Sequence, residues 1–120
     1  MKIIIAGGGK VGSTLTRELS ASGYDITVID LKKKVLEASV ERYDVMTVWG
    51  NCATISVLEE AGIRSADLLI AATSADEINL LCCMTAHGLN PNLHTIARIR
   101  NPEYSGQVYT MRNLFGLSLV

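Results

Sequence analysis

Aromatic side chains, net charge and long apolar runs are all scarce in this 120-residue chain. Aromatic residues make up only 5% of it, so the hydrophobic residues, 48% of the total, are mainly aliphatic. The formal net charge of −1 provides no basic field to attract a phosphate backbone, which argues against DNA or RNA as a partner. The longest apolar runs are far shorter than the ~20 residues needed to cross a bilayer, so we expect no direct membrane insertion.

The cysteines are few, and their number and spacing match neither a disulfide framework nor a metal site. The three are Cys52, Cys82 and Cys83, and we expect Cys82 and Cys83 to pack as small hydrophobic side chains in a reducing compartment. A strand-like run follows Lys2 directly, where a secretory signal would have a longer apolar segment. The length suits one domain, and these features together predict a cytoplasmic protein with an aliphatic core.

Strand-like and helix-like segments alternate along the chain. This alternation is typical of βαβ units, and right-handed crossovers then give an α/β fold, a Rossmann-type doubly wound parallel sheet. Residues 116–120 are expected to begin a sixth strand, so we expect the chain to be part of a longer protein. The predicted strands are 2–6, 25–30, 45–49, 67–72 and 94–99, and the predicted helices are 11–22, 32–42, 54–61, 75–87 and 102–113.

Boundary residues support this segmentation. Gly23, Gly62 and Gly88 each follow a helical segment, where a left-handed residue commonly ends a helix. Asn101 is predicted to cap the last helix, with Pro102 at its first position.

Four of the ten glycines lie within residues 7–12, between the first predicted strand and the first predicted helix. Gly7, Gly9 and Gly12 form a Gly-x-Gly-x-x-Gly motif. Its first glycine permits a tight turn, its second lets a pyrophosphate approach the backbone, and its third lets the helix pack closely on the sheet. The free N–H groups at the start of that helix would bind the phosphates. The alternative is a plain strand-to-helix turn.

Asp30 ends the second predicted strand, near the spacing of about 20 residues expected for an acid that binds ribose hydroxyls. A carboxylate there repels a 2′-phosphate and therefore favours NAD over NADP. Asp30 is alternatively an N-cap for the next helix. The cations of 32–34 oppose the dipole of that helix, either as a solvated face or beside an anionic ligand.

The segment after the fourth strand contains Ser74-x-x-Glu77, and we predict that its main role is to cap the next helix as a capping box. In the functional interpretation, Thr73 and Ser74 line a ligand cleft beyond that strand. Asn79, one turn further along, is expected to face a helix or a subunit contact.

The fifth predicted strand carries Arg98 and Arg100 at alternate positions. One of them is expected to face the cleft or a neighbouring subunit, and surface ion pairs are the alternative. The histidines, His87 and His94, have no acid or nucleophile at a meaningful spacing, so no catalytic constellation is predicted.

With the glycine loop and Asp30, three later segments extend the pattern: "VLEEAGIRSADLLIA" (57–71), "ATSADEINLL" (71–80) and "ARIRNPEY" (97–104). In this combination the chain resembles the N-terminal domain of TrkA-type regulators. These are the RCK, or KTN, domains that control potassium transporters and channels. The resemblance covers essentially all 120 residues.

The resemblance implies a nucleotide sensor that is not an enzyme, with NAD(H) as the expected ligand and ATP or ADP as alternatives. In this family the glycine loop binds the phosphates, and the position of Lys10 is basic in ATP-binding relatives. The family often has an acid near adenine in a Gly-Asp-Ala-Ser/Thr stretch, which reads Gly50-Asn51-Cys52-Ala53 here. Asn51 can still accept a hydrogen bond from adenine, but the lost charge leaves the base preference open. The candidate cofactor-binding residues are Gly7, Gly9, Lys10, Val11, Gly12, Asp30, Leu31, Asn51, Cys52, Thr73, Ser74 and Arg100.

The resemblance also implies partners. These are a separate potassium-translocating membrane subunit, which would hold the domain at the inner face of the membrane, and at least one further copy of the chain. No metal site is expected. The alternative function is the cofactor-binding half of a truncated NAD-dependent oxidoreductase, which would need a second domain for its substrate. A purely structural module leaves the glycines and Asp30 unexplained.

Overall fold

A computed structural model describes residues 1–115 of the chain. Its five strands are β1 (Lys2–Ala6), β2 (Asp25–Asp30), β3 (Met46–Trp49), β4 (Leu68–Ala71) and β5 (His94–Ala97). The α-helices of the described range are α1 (Lys10–Ala21), α2 (Lys33–Arg42), α3 (Ile55–Glu60), α4 (Asp76–Leu89) and α5 (Pro102–Phe115). A short 3₁₀ turn, Ile63–Ser65, was not predicted. The predicted strand at 116–120 lies outside the described residues.

The strands form one parallel sheet in the order β3-β2-β1-β4-β5. From the central β1, the chain first builds one half of the sheet and then returns to build the other half. This reversal leaves a crevice beyond the carboxyl ends of β1 and β4, which is where open α/β sheets bind ligands. The predicted doubly wound α/β fold is confirmed.

The central strand is buried on both faces, which explains its continuous apolar run. Ile3, Ile4 and Ile5 are each at most 1% exposed. Ile4 packs in a layer with α3, α4 and α5, whereas Ile3 and Ile5 pack in the opposite layer with α1 and α2. All three cysteines are free and lie in the first layer, so the prediction that Cys82 and Cys83 pack as hydrophobic side chains is confirmed.

The helix ends agree with the sequence at several positions. Gly23 and Gly62 have φ values of +85° and +84°, as predicted for residues that end helices. The same prediction for Gly88 is wrong, because α4 continues through it to Leu89. The next residue, Asn90, ends the helix, and its side-chain amide donates to the carbonyl oxygen of Ile63 at 2.9 Å.

The start of α5 follows the predicted capping arrangement. Pro102 is its first residue, and the N–H of Glu103 donates to Oδ1 of Asn101 at 2.9 Å. Within residues 1–115, no helix is long and apolar enough to span a membrane.

Candidate nucleotide-binding cleft

A cleft of about 380 Å³ lies beyond the carboxyl ends of the strands. The loops that follow all five strands contribute to it, so the topology brings together residues that are far apart in the chain. Its lining comprises Gly7, Gly9 and Lys10 after β1, Ile29–Lys32 and Val35 around the end of β2, Gly50–Cys52 after β3, Ala72–Ala75 and Ile78 after β4, and Arg98 after β5.

Most of the candidate residues predicted from the sequence line this cleft. Val11 and Gly12 belong to the first turn of α1, behind the lining residue Lys10. Arg100 is not among the lining residues, whereas Arg98 is. The candidates that line the cleft are Gly7, Gly9, Lys10, Asp30, Leu31, Asn51, Cys52, Thr73 and Ser74.

The three motif glycines differ in their surroundings. Gly7 has φ +105°, and a Cβ atom on it would lie 2.9 Å from the backbone of Ala72. A Cβ atom on Gly12 would overlap the carbonyl oxygen of Gly7, so its closest neighbour is the loop rather than the sheet. Within residues 1–115, no atom outside Gly9 and its two chain neighbours lies within 4 Å of the position that a Cβ atom on Gly9 would take. Packing within the chain therefore accounts for Gly7 and Gly12 but not for Gly9.

The start of α1 has unsatisfied backbone donors. Gly9 is the N-cap residue, and no side chain caps the helix. The N–H of Ser13 donates to the carbonyl oxygen of Gly9 at 2.7 Å. The N–H groups of Lys10, Val11 and Gly12 precede this bond and have no acceptor within the helix. Together with the positive end of the helix dipole, they suit a phosphate.

Asp30 is held in position by two backbone N–H groups. Its Oδ2 accepts from the N–H of Gly8 and its Oδ1 from the N–H of Lys32, both at 2.8 Å. The alternative N-cap role is wrong, because Lys32 occupies the N-cap position of α2 and no side chain caps that helix. Each carboxylate oxygen can accept a second hydrogen bond, so the side chain remains able to bind two ribose hydroxyls.

An apolar pair, Leu31 and Trp49, lies beside Asp30; Leu31 was a predicted candidate, whereas Trp49 was not. Leu31 and Trp49 are 68% and 58% exposed, and Trp49 pairs with Asp30 in the sheet register. The indole Nε1 donates to the carbonyl oxygen of Leu31 at 2.9 Å. The ammonium of Lys33 lies 4.2 Å from the centroid of the Trp49 ring. The position of this tryptophan at the end of a predicted strand was the available signal in the sequence.

The loop after β3 carries Asn51 and Cys52. Oδ1 of Asn51 accepts from the N–H of Ala53 at 2.9 Å, and its second lone pair stays available to a ligand. Cys52 forms a hydrogen bond with the Cys82 thiol that lowers the pKa of Cys52 and raises the pKa of Cys82. Burial raises the pKa of Cys83 to about 12. Cys52, which lines the cleft, is therefore the most acidic of the three thiols.

Asn79 connects the two strand ends of the opposite wall. It is fully buried, and its Oδ1 accepts from the N–H and the hydroxyl of Thr73 at 2.9 and 2.6 Å. Its Nδ2 donates to the carbonyl oxygens of Thr73 and Arg98 at 3.2 and 2.8 Å. The expectation that Asn79 faces a helix or subunit contact is therefore wrong.

The predicted capping box at Ser74 is also wrong. Helix α4 begins one residue later than the box requires, after the N-cap residue Ala75, and no side chain caps it. Glu77 instead accepts a hydrogen bond from the Tyr104 hydroxyl of α5 at 3.0 Å. The backbone N–H of Ala75 donates to the Thr73 hydroxyl at 3.3 Å.

Both arginines lie beyond β5, which ends at Ala97, and not on the strand as predicted. The carboxylate of Asp76 accepts from the N–H groups of Arg100 and Asn101 at 2.9 and 2.8 Å. These backbone hydrogen bonds lower the pKa of Asp76. Sequence reasoning missed this role of Asp76.

No cluster of potential metal ligands occurs in the part of the chain that the structure describes.

This chain is similar to known proteins in both sequence and fold. The chain is 42% identical over 104 residues to the Trk system potassium uptake protein TrkA of Haemophilus influenzae, covering 87% of this chain and 23% of that protein. It superposes on the TrkA-N domain of the inner membrane protein ybaL from Escherichia coli with a TM-score of 0.88 and 25% identity, covering 99% and 84% of the two chains.

A third similar protein is the Kef C-terminal domain of Shewanella denitrificans in its AMP-bound form. The TM-score is 0.80 at 28% identity, over 100% of this chain and 72% of that chain. Residues 3–114 match the model of the TrkA-N domain family. The chain belongs to the TrkA-N domain family.

Proposed function

We propose that this domain binds an adenine nucleotide in the cleft, with NAD(H) as the expected ligand and ATP or ADP as alternatives. One observation carries the proposal: the open space at Gly9 and the carboxylate of Asp30 lie in the same cleft. The chain's own packing does not require a glycine at position 9, whereas a pyrophosphate close to the backbone does. The AMP-bound state of the similar Kef domain also supports the proposal.

In the proposed arrangement each part of the nucleotide meets a different loop. The phosphates accept from the free N–H groups at the start of α1 and from the ammonium of Lys10. The ribose hydroxyls donate to Asp30, and the adenine lies near Asn51. Arg98 replaces Arg100 as the arginine within reach of the ligand, because it is the one that lines the cleft.

We further propose that the nucleotide regulates potassium transport and is not turned over. The support is the similarity to a protein named for potassium uptake. The chain spans only 23% of the length of that protein. The proposed partner is a separate potassium-translocating membrane subunit. The proposal includes action at the cytoplasmic face of the membrane and association of at least two copies of the chain.

The test uses the only tryptophan of the chain, Trp49. Trp49 lies at the rim of the cleft, so bound NADH should quench its fluorescence by energy transfer to the nicotinamide. The variant Gly9→Val should abolish saturable quenching while remaining folded, because it fills the space that the pyrophosphate needs. The matched control is Gly88→Val, since a Cβ atom on Gly88 also meets no neighbour outside its own helix among the described residues, and Gly88 does not line the cleft.

A folded Gly9→Val protein with unchanged affinity for NADH and for ADP would contradict the site. Mass spectrometry of nucleotides released from the purified chain identifies the natural ligand. The oxidoreductase alternative predicts steady loss of NADH absorbance when small carbonyl compounds are added, and the proposed function predicts none.

A further inference from the structure

A second cavity, of about 500 Å³, lies in the groove between α1 and α2. It adjoins the nucleotide cleft at Gly9, Lys10 and Val35, which line both. We call it the α1–α2 groove. The side chains that decide its chemistry are Lys10, Ser13 and Thr14 from one helix, and Lys34, Arg42 and Tyr43 from the other helix and its end.

The groove is cationic because of the spacing of charges on α2. Lys34, Ala38 and Arg42 follow one another at i, i+4 spacing, so they form one row along the helix, and all three line the groove. Lys33, Glu37 and Glu41 form the adjacent row and line a different cavity. No acidic residue lines the described part of the α1–α2 groove.

These cations have no carboxylate partner within ion-pair distance in the described part of the chain. Among residues 1–115, ion pairs form between Arg17 and Glu18 and between Arg64 and Glu59, and Lys10, Lys34 and Arg42 take part in none. Three cations lining one groove repel each other, and a bound anion would relieve that repulsion.

Hydroxyl groups add neutral donors to the same groove. The side chains of Ser13 and Tyr43 form no hydrogen bond to other residues in the described range, and both are only partly exposed. An anion with several acceptor oxygens can therefore bind cations and hydroxyls from both helices at once.

We propose that the α1–α2 groove is an anion-binding site that takes a phosphate group. A phosphate presents several charged oxygens, and arginine and lysine are the side chains that usually bind it. The structure also separates the cations of the 32–34 segment. Lys32 lines the nucleotide cleft, Lys33 stacks on Trp49, and Lys34 lines the groove.

The phosphate has two possible sources. One is a free phosphate or small phosphate ester that binds independently of the nucleotide. The other is the terminal phosphate of a nucleotide held in the adjoining cleft, since Lys10 lines both cavities. Inorganic phosphate as a probe tests the shared chemistry without depending on nucleotide binding.

The experiment is an NMR titration of the 120-residue chain with inorganic phosphate at constant ionic strength. We expect saturable shifts of the backbone amides of residues 38, 39, 42 and 43, which line the groove and not the nucleotide cleft. Shifts confined to 10–12 would indicate phosphate at the start of α1 in the cleft and would count against the groove. Lys34→Gln and Arg42→Gln should each weaken phosphate binding roughly twofold to fivefold, the loss expected when one exposed charged contact is removed. Lys33→Gln is the matched control, because it removes the same charge from the same helix outside the groove.

Absence of saturable shifts would overturn the proposal, and so would equal weakening by Lys33→Gln and Lys34→Gln. A second titration in the presence of saturating NADH, and a third with ATP and AMP, identify the source. Phosphate binding that persists beside NADH indicates a free phosphate. Groove shifts caused by ATP and not by AMP indicate a terminal phosphate. A chain that binds phosphate in the groove but no nucleotide in the cleft contradicts the proposed function and supports this inference.

Discussion

Gly9 and Gly12 belong to one motif, but substitutions at the two positions should have different effects. Gly12→Ala should lower the free energy of unfolding by about 1–3 kcal/mol, because the new methyl group meets the carbonyl oxygen of Gly7. Gly9→Ala should lower it by only about 1 kcal/mol or less, because Gly9 has open space around it and the remaining cost is the weaker preference of alanine for the N-cap position. Urea denaturation of both variants checks this. Equal loss at the two positions would mean that Gly9 is also needed for packing.

Asp30 is the residue expected to decide between NAD(H) and NADP(H). Charge-assisted hydrogen bonds to ribose hydroxyls contribute about 1.5–3 kcal/mol each, so Asp30→Ala should weaken NAD(H) binding at least about tenfold. Removing the carboxylate should also narrow the preference over NADP(H). Calorimetric titration with both cofactors measures the two effects.

The ratio of the NAD(H) affinity to the NADP(H) affinity distinguishes a lost ribose contact from a purely structural effect. Asp30 also accepts from the N–H groups of Gly8 and Lys32, so its removal alters the loops as well. Altered loops would weaken the binding of both cofactors by the same factor. A ratio that stays unchanged would therefore count against the ribose role.

At the level of elements, the first two turns of α4 join the loops after β4 and β5. Asn79→Ala should lower the free energy of unfolding by about 2–4 kcal/mol, because it leaves the N–H of Thr73 and the carbonyl oxygen of Arg98 without a partner. It should also weaken nucleotide binding, since both loops line the cleft. Urea denaturation and NADH titration measure the two effects.

The control for that substitution lies at the other end of the same helix. Asn90 also donates to a distant carbonyl oxygen, that of Ile63, but does not line the cleft. Asn90→Ala should lower stability and leave the NADH affinity of the folded protein unchanged. Equal losses of affinity in the two variants would show that the Asn79 effect comes from stability alone.

Asp76 should make stability depend on pH. Hydrogen bonds from the N–H groups of Arg100 and Asn101 hold its folded-state pKa below the ordinary value of 3.8. The stability it contributes is therefore complete above that value and is lost as the pH falls through the folded-state pKa. Asp76→Asn should be destabilised relative to the wild type at about pH 6, with a smaller difference at about pH 3. Urea midpoints at both values check this, and a constant difference would contradict it.

The order and type of the strands and α-helices could be predicted from the sequence, with boundaries within about two residues. This was possible because apolar periodicity and helix caps depend on residues close together in the chain. Asn101 and Gly62 are examples. The errors at Ser74, Asn79 and Gly88 share one cause. Each depends on contacts with distant residues, such as Asn79 with Arg98 or the helix end at Asn90 with Ile63, which local patterns do not encode.

At the scale of the whole molecule, the cleft could likewise be predicted only where its residues belong to a local motif. The glycine loop and Asp30 could be predicted because one known motif contains both. The choice of Arg98 over Arg100 depends on where β5 ends, and the exposed Trp49 depends on β3 being an edge strand. The α1–α2 groove could not be predicted, because its cations come from two helices whose packing sets their proximity.

A ligand that touches the loops after all five strands can couple to the shape of an assembly. The cleft joins residues from both halves of the sheet, so two nucleotides that differ in charge or length should favour different arrangements of those loops. A ligand shifts a conformational equilibrium only as far as its affinity differs between the states. Regulation by nucleotide exchange therefore requires different affinities in the active and inactive states of the proposed complex.

The corresponding prediction concerns potassium flux. In vesicles that contain the protein and the proposed potassium-translocating partner, exchanging NADH for NAD⁺, or ATP for ADP, should change the flux. Asp30→Ala should reduce the effect of the NADH and NAD⁺ exchange, while Gly88→Val, which alters a distant glycine, should leave it intact. The flux is measured with a potassium-sensitive dye, and cofactor absorbance is recorded in the same sample. Because a regulatory ligand is bound and released unchanged, the absorbance should stay constant while the flux responds. A flux that is the same with every nucleotide would contradict the sensor function. Steady oxidation of NADH would favour the oxidoreductase alternative.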